Sequence, residues 1–589
     1  MLTVGKLTLG AEDYYLMTVA HGAEEYYTGS GEAPGEWMGR GADALGVAGI
    51  VDPADLHTVL SGASPVDGKP IRSVAAARAS IAGFDLTFSA PKSVSLLYGL
   101  TTEEIANSVR LAHDRAVAAA LDYVETHALR ARRGHNGEVP IATTGAIAAA
   151  FRHRTSRAGD PQLHTHVLIA NAVQGVDGAF SAPDGRLFYM HARAAGYLYQ
   201  AVLRHELSTA LGVSFTAVVN GTAEVEGVNP ALIDAFSTRR NEIEARLASL
   251  GVEGSRASHI AALETRRSKT PMPQAAGVDG PGSLSQLWIE KAQAASLDTS
   301  HLATVVGPPR YLDLSGGLCN DVADELTGPG GMTEKLSTFE RRDVVREVAA
   351  RLPDGADPHV VDHIVGMVMA SPSTVALGIA GPGGEERLTS AELLGVEASL
   401  VELAAGAKAA GTAVASPESL RAVIRSHPQA SAEQMAMVSR LTTSGAGVEV
   451  VVGPAGTGKT FALSMAREVW EKDGMRVHGA ALAARAALGL QGSAKIPSTT
   501  LAALDDAIAS GRRSFGPGEV LVIDEAGMVG TRMLNRVVTN AVQSRAKVVL
   551  VGDHRQLPNP HRFESTCGSW HLRYHEFACK RMSSTVSPR

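Results

Sequence analysis

The strongest constraint on this chain lies in residues 447–460, which read GVEVVVGPAGTGKT. A β-type run, Val448 to Val452, enters a G-x-x-x-x-G-K-T loop, and FALSMAREVW follows with helical spacing. Strand, glycine loop and helix in that order belong to a parallel α/β sheet, because the loop amides must converge at a helix N-terminus. Gly453, Gly456 and Gly458 let backbone amides wrap a phosphate, Lys459 reaches its outer oxygens, and Thr460 offers a hydroxyl to Mg2+. VLVIDE at 520–525 predicts a buried strand that delivers Asp524 to that ion and Glu525 to an attacking water. VVLVGDHRQLP at 548–558 predicts a third strand, with Gln556 placed to sense the terminal phosphate. The cofactor implied is ATP with Mg2+.

Composition bounds the rest. A chain of 589 residues with 45% hydrophobic content has material for several cores, which rules out a disordered or fibrous protein. It has no apolar run of membrane-spanning length and no signal pattern at its start, so no membrane insertion is expected. Cys319, Cys567 and Cys579 are too few for a disulfide framework, and the expected compartment is the reducing cytoplasm. With 54 Lys and Arg against 61 Asp and Glu, the chain is no general polyanion-coating protein, though a local basic groove stays open. One such place is the stretch from 130 to 157, where Arg130, Arg132, Arg133, Arg152, Arg154 and Arg157 face a single acid, Glu138. That stretch is either a solvated face or a surface for phosphates.

A second constellation precedes the glycine loop. Residues 141–154 and 163–173 read as strands, and TSRAGDPQ between them reads as a turn. Side chains alternate along a strand, so His164 and His166 share a face, and the turn brings His153 opposite them. Three imidazoles so placed suit a divalent metal. Upstream, GFDLTFSAPKSVS alternates: Asp85, Thr87 and Ser89 face one side, and Phe84, Leu86 and Phe88 the other, in a half-buried strand ended by Pro91. Asp85 is either merely solvated or, beside a bound metal, fixes an imidazole tautomer or accepts a nucleophile's proton. Two tyrosine pairs, Tyr14–Tyr15 and Tyr26–Tyr27, read on composition alone as aromatic helix packing.

Between the constellations, residues 270 to 335 are rich in Gly, Pro and Ser and read as linkers around short helices. Amphipathic helices are expected at 340–352 and 391–410, with capping boxes formed by Ser337 with Glu340 and by Thr389 with Glu392.

The first 270 residues resemble the MobF (TrwC/TraI-type) conjugative relaxases, members of the HUH endonucleases. The matching segments are DYY at 13–15, EEYYTGSGEAPGEWMGRGADALGV at 24–47, FDLTFSAPKSVS at 84–95 and FRHRTSRAGDPQLHTHVLIAN at 151–171. The resemblance implies that a tyrosine hydroxyl attacks a phosphodiester at a transfer origin, leaving a 5′-phosphotyrosyl link and a free 3′-hydroxyl. Tyr14 matches the first nicking tyrosine and Tyr26 a second one used in strand transfer, with Tyr15 and Tyr27 their neighbours. His153, His164 and His166 match the metal ligands, and Asp85 the carboxylate beside them. The resemblance also implies Mg2+ or Mn2+ as the ion, single-stranded DNA at a transfer origin as the partner, and relaxosome accessory proteins and a coupling ATPase as further partners. The arginine cluster then becomes a surface tracking the DNA backbone. FSTRRNEIEARL at 236–247 and LETRRSK at 263–269 resemble the end of the relaxase domain, as DNA contacts or as solvated helix faces.

Residues 431–558 resemble superfamily 1 helicases of the RecD-like branch. Gln434 matches their adenine-reading glutamine, and Thr499 and Thr500 lie in a region matching a single-strand contact segment. After Pro558 the resemblance stops, and NPHRFESTCGSWHLRYHEFACKRMSSTVSPR reads as out-of-frame or disordered sequence, with a Cys/His zinc site arithmetically open. The expected layout is an α+β relaxase domain over 1–300, an antiparallel sheet flanked by helices. A linker and helical region follows over 301–430, then a partial α/β RecA-like domain over 431–558 and an atypical tail over 559–589. The expected activity is nicking and rejoining at a transfer origin, with an ATP-binding part that does not unwind DNA. Two other readings stay open: a non-catalytic DNA-binding remnant, and a P-loop ATPase of DNA metabolism with structural histidines.

Overall fold

The computed structural model describes residues 1–12, 33–72, 81–156, 158–250, 284–311, 316–380, 384–453 and 456–552. The chain divides into two units. One comprises Met1–Leu326, Glu340–Ala370 and Ala380–Glu385; the other comprises Thr327–Phe339, Ser371–Ile379 and the chain from Glu386 onward.

In the first unit, β1 (Leu2–Leu7), β2 (Glu36–Met38), β3 (Gly83–Ser89), β4 (Ala148–Thr155) and β5 (Pro161–Ala170) form one sheet. Their order is β1-β3-β5-β4-β2, and every pairing is antiparallel. Along β3 the burial alternates as the sequence implies, with Phe84, Leu86 and Phe88 inside and Asp85, Thr87 and Ser89 half-buried on the other face. The apolar face packs on two long helices, α3 (Glu103–His127) and α4 (Gly185–Leu211), numbered after α1 (Pro53–Ser61) and α2 (Lys92–Leu100). Phe88 meets Tyr199 of α4 with ring centroids 5.5 Å apart, and Phe84 meets Phe188 at 4.9 Å. On the opposite face, Leu56, Val59 and Leu60 of α1 cover one end, against Ala149, Phe151, Leu168 and Ala170. The other end of that face carries the histidines. Alanine is a poor strand former, yet Ala148 and Ala149 sit fully buried in a ladder with neighbours on both sides, and packing overrides their propensity.

The strands are shorter than the sequence pattern predicts. Residues 142–147 leave the ladder because Ala146 N–H donates to the buried Glu125 carboxylate (2.6 Å) and Ala42 N–H donates to the Ala146 carbonyl (3.1 Å). Val139–Ile141 pairs with Ala131–Arg133 instead, and Val173–Gln174 pairs with Phe180–Ser181.

In the second unit, β6 (Val448–Val452), β7 (Arg476–Ala481), β8 (Ser498–Thr500), β9 (Glu519–Asp524) and β10 (Lys547–Gly552) form a parallel sheet in the order β6-β10-β9-β7-β8. Its central strands read as near-continuous apolar runs because both faces are covered. Val520, Val522, Val549 and Val551 share one core with Trp470, while Leu521, Ile523, Val548 and Leu550 share another with Val537 and Val538.

Between the histidine and P-loop sheets, the expected helices appear at Arg341–Ala350 and Ala391–Gly406, but their caps differ from the expected pairs. The first helix is capped by Glu340 with Asp343, and the second by Ser390, whose hydroxyl accepts from Leu393 N–H at 3.1 Å. The Thr389 hydroxyl instead donates to the Ser337 carbonyl at 2.8 Å, so the two expected capping hydroxyl residues meet each other. The region is also not wholly helical: Thr374–Ala380 and Glu386–Ser390 form a two-stranded ribbon. No helix among the described residues is long and apolar enough to cross a membrane.

Candidate functional site

His153 and His164 are direct partners across the β4–β5 ladder, and His166 stands two residues along β5 on the same face. Period-2 alternation aligns the second pair, and hairpin register supplies the third ring. The three ring centroids lie 5.1 to 5.2 Å apart, and one ligand atom from each lies within 4.8 Å of the others. That spread is slightly wider than nitrogens about 2.1 Å from a shared ion allow, a gap that small ring torsions close.

The surroundings orient the imidazoles. His166 Nδ1 lies 3.0 Å from both Asp85 carboxylate oxygens and 3.1 Å from Thr87 Oγ1, while Thr87 donates to Asp85 at 3.2 Å. His164 Nδ1 lies 2.9 Å from the Gln162 carbonyl. A ring that donates from Nδ1 carries its lone pair on Nε2, the form a metal binds. Burial, with the neighbouring His166, pushes the pKa of His153 down to about 3, so this ring is uncharged at neutral pH. The donor set therefore fits a divalent ion, and Asp85 meets His166 with both carboxylate oxygens.

Behind the sheet, a polar network holds the same strands. The buried His113 of α3 lies 2.8 Å from both the Thr165 hydroxyl and the Tyr199 hydroxyl, and Thr165 separates His164 from His166. Asp114 accepts two hydrogen bonds from Arg152, at 2.9 and 2.7 Å, beside His153. Nothing local in the sequence flagged these partners, which come from 38 to 86 residues away.

The other arginines divide. Arg133 pairs with Asp177 at 2.7 Å, Arg130 donates to the Thr126 and Leu129 carbonyls at the end of α3, and Arg132 donates to the Gly137 carbonyl. Arg154 is half-buried in β4, and Arg157 lies outside the described residues. In the 236–247 stretch, Arg239 pairs with Glu242 and Arg240 with Glu244, as on a solvated helix face. Tyr14, Tyr15, Tyr26 and Tyr27 all lie outside the described residues, as do Gln556, Cys567, Cys579 and the tail.

In the second unit, α6 (Lys459–Lys472) starts directly after Gly458. Gly456 and Gly458 adopt φ of 82° and 79°, conformations that a side chain would strain. The Lys459 ammonium donates to the Gly453 carbonyl, and Thr460 follows in the first turn. Gln434 caps its own helix, its amide oxygen accepting from Ser431 N–H at 3.0 Å. A Cβ on Gly458 would stand 2.2 Å from Gln434 Nε2, so glycine there admits the glutamine beside the loop. Asp524 ends β9, where burial raises its pKa while the Glu525 amide and Lys459 oppose that shift. Glu525 itself holds a φ of 52°, rare for a residue with a side chain. Thr499 and Thr500 sit in β8, and Thr500 caps the helix that follows.

The TrwC relaxase family model matches residues 9–280, and an AAA domain model matches residues 429–563. A probable conjugal transfer protein TraA of Sinorhizobium fredii is 35% identical over 238 residues, covering 38% of this chain and 21% of the relative. The multifunctional conjugation protein TraI of Escherichia coli is 34% identical over 269 residues, covering 42% of this chain and 15% of the relative. A solved conjugative relaxase TrwC, metal-bound and in complex with oriT DNA, is 31% identical, with all of it and 51% of this chain covered at a TM-score of 0.44. The chain thus spans 15 to 21% of the length of these curated relatives. The antiparallel sheet with clustered histidines lies in the relaxase match and the parallel-sheet phosphate-loop domain in the AAA match, so the chain carries a relaxase-type domain followed by an ATPase-type one. More narrowly, the matched stretches are those of a TrwC-type relaxase domain, over residues 9–280, and of an AAA domain, over residues 429–563, the pairing of a MobF-type protein.

Proposed function

We propose that the first unit nicks one DNA strand at a transfer origin and later rejoins it through a tyrosine-linked intermediate. The observation that carries this reading is the convergence of His153, His164 and His166, with Asp85 behind His166, inside the segment matched by the TrwC relaxase model. The similarity to proteins described as conjugal transfer and conjugation proteins supports the choice of a transfer origin as substrate.

In this reading Tyr14 acts first and Tyr26 in strand transfer, with Tyr15 and Tyr27 as their neighbours. The Tyr14 oxygen forms a bond to phosphorus, the bond from phosphorus to the 3′ oxygen breaks, and that oxygen leaves as a hydroxyl carrying the proton the phenol gives up. The DNA then hangs on the protein by its 5′ phosphate, and reversal reseals it with no ATP consumed. A free phenol, with pKa near 10, is a weak nucleophile at neutral pH and needs an activated phosphate. A divalent ion bound by the three histidines supplies that activation by neutralising charge on the phosphate oxygens. Mg2+ or Mn2+ is the proposed ion, although three imidazoles alone also suit softer metals. Asp85 and Gln162 hold their imidazoles in the metal-binding tautomer, and burial keeps His153 neutral.

Arg130, Arg132, Arg133, Arg152, Arg154 and Arg157 are the proposed contacts to the DNA backbone, Arg133 and Arg152 also sitting in ion pairs within the fold. ATP with Mg2+ is the proposed ligand of Gly453, Gly456, Gly458, Lys459, Thr460, Asp524 and Glu525, with Gln434 at the base and Gln556 at the terminal phosphate. Whether this ATP-binding unit also unwinds DNA is checked by a strand-displacement assay with ATP. Relaxosome accessory proteins and a coupling ATPase, in the cytoplasm, complete the proposed setting.

The decisive experiment incubates the chain with labelled origin-type single-stranded DNA and Mn2+, then searches by mass spectrometry for a nucleotidyl-tyrosine peptide. Finding none, with intact protein and DNA, would sink the reading.

A further inference from the structure

The last regular pair of the β4–β5 ladder is His153 with His164; beyond it the register shifts, and Thr155 faces Pro161. Two of the three histidines therefore sit where the ladder alone holds the strands least firmly. Beyond that pair the turn keeps its own bonds, Ser156 N–H to the Asp160 carbonyl at 2.8 Å and Gly159 N–H to the Ser156 carbonyl at 2.9 Å, and a further grip adds to them.

The end of the connecting turn is gripped from outside by a helix distant in sequence. In α5 (Leu284–Ala294) the Trp288 indole Nε1 donates to the Gly159 carbonyl at 2.7 Å. One turn along, the Lys291 ammonium donates to the Asp160 carboxylate at 2.5 Å. Asp160 is only 1% exposed, and its carboxylate also accepts from the Thr238 amide at 3.1 Å and the Thr238 hydroxyl at 3.2 Å. Lys291 also donates to Thr238 Oγ1 at 3.1 Å and stands 4.9 Å over the Phe236 ring. Trp288 is itself 5% exposed, and its indole lies flush against Gly99 of α2, where a Cβ would come within 2.8 Å of the ring. From α2, Lys92 closes the arrangement by donating to the Pro161 carbonyl at 2.7 Å.

We infer that Trp288 and Lys291 are positioning residues for the histidine cluster, a latch that fixes the β4–β5 turn and so the spacing of His153 from His164. The inference rests on the reading in which those histidines hold a metal. It extends the working site past residue 280, where the family match ends, into a helix that the sequence pattern placed among linkers. Hydrogen bonds to a carbonyl and to a buried carboxylate are directional, so they set a position where apolar packing would tolerate sliding. Neither residue touches the ion or the DNA in this scheme, and the effect passes entirely through Gly159 and Asp160.

The test titrates Mn2+ into the full 589-residue chain, reading free ion by electron paramagnetic resonance, for the wild type, Trp288→Phe, Lys291→Met and Lys291→Arg. Trp288→Phe keeps an aromatic ring and removes the N–H, and Lys291→Met keeps the apolar stem and removes the charge. Each is expected to weaken Mn2+ binding about tenfold, the lower end for groups that orient metal ligands. Lys291→Arg is expected to stay within about threefold of wild type, because a guanidinium also reaches a carboxylate. Thermal midpoints of all four chains separate a general loss of fold from a specific loss of affinity. Wild-type affinity in both Trp288→Phe and Lys291→Met overturns the latch, whatever their midpoints. Failure of the wild type itself to bind Mn2+ overturns the metal reading, and the latch falls with it.

Discussion

The Asp85 carboxylate meets Nδ1 of His166 at 3.0 Å through both of its oxygens, from the neighbouring central strand of the sheet. Thr87, the direct ladder partner of His166, completes the triangle with its hydroxyl. The arrangement orders one imidazole before any ion arrives. Asp85→Asn keeps the shape and removes the charge, and it is expected to weaken Mn2+ binding about tenfold and to lower nicking in proportion at subsaturating metal. Raising Mn2+ should restore much of the rate. A rate that stays low at saturating metal would instead assign Asp85 a direct part in proton transfer.

Tyr14→Phe is expected to remove nearly all covalent adduct with an origin oligonucleotide while leaving non-covalent DNA binding intact. Denaturing gels for the adduct and a binding titration read the two separately. Undiminished adduct moves the first attack to Tyr15 or Tyr26.

Acid should destabilise the first unit through its buried histidines, His153 and two more behind the sheet. Burial holds His113 well below its usual pKa, helped by the nearby Arg152 and His164. Burial likewise pushes the pKa of His191, bonded to the Tyr123 hydroxyl at 3.0 Å, down to about 3. In the unfolded chain all three rings take up a proton near pH 6.5, so below that pH the unfolded state binds more protons and stability falls as pH falls. Each ring contributes a slope of about 1.4 kcal/mol per pH unit between its two pKa values. Urea midpoints measured from pH 7.5 to 4.5 should decline, and His191→Asn should flatten the decline by about one proton. A midpoint that rises on acidification contradicts the assignment.

Lys459→Ala is expected to weaken binding of a fluorescent ATP analogue at least about tenfold, a loss of roughly 1.4 kcal/mol or more. Nicking of single-stranded DNA should be unchanged, because no step proposed at the histidine cluster uses ATP. Equal loss of both activities would show that the two modules work as one.

Much of the site was legible because its geometry follows from local rules. A strand turns side chains every second residue, so His164 and His166 had to share a face, as Asp85 and Thr87 did. A turn between two strands brings their ends together, which supplied His153. The glycine loop was legible for a similar reason: strand, loop and helix are contiguous, and positive φ at Gly456 and Gly458 is a demand of the loop itself. The caps were misread by one to three residues, because several Ser, Thr and Glu side chains near each helix start could do the same work. Only packing selected Ser390 and Glu340.

By itself, then, the order of residues determined the periodicities, the phosphate loop and the facing histidines, all of which arise within one strand, one turn or one hairpin. The folded chain decided what holds those histidines: His113 against Thr165, Arg152 against Asp114, and Trp288 and Lys291 against Gly159 and Asp160. These contacts join positions 38 to 131 residues apart, and no local propensity encodes them. They form because burying the sheet between helices strips water from polar groups, and each must then find a partner wherever the chain happens to pass.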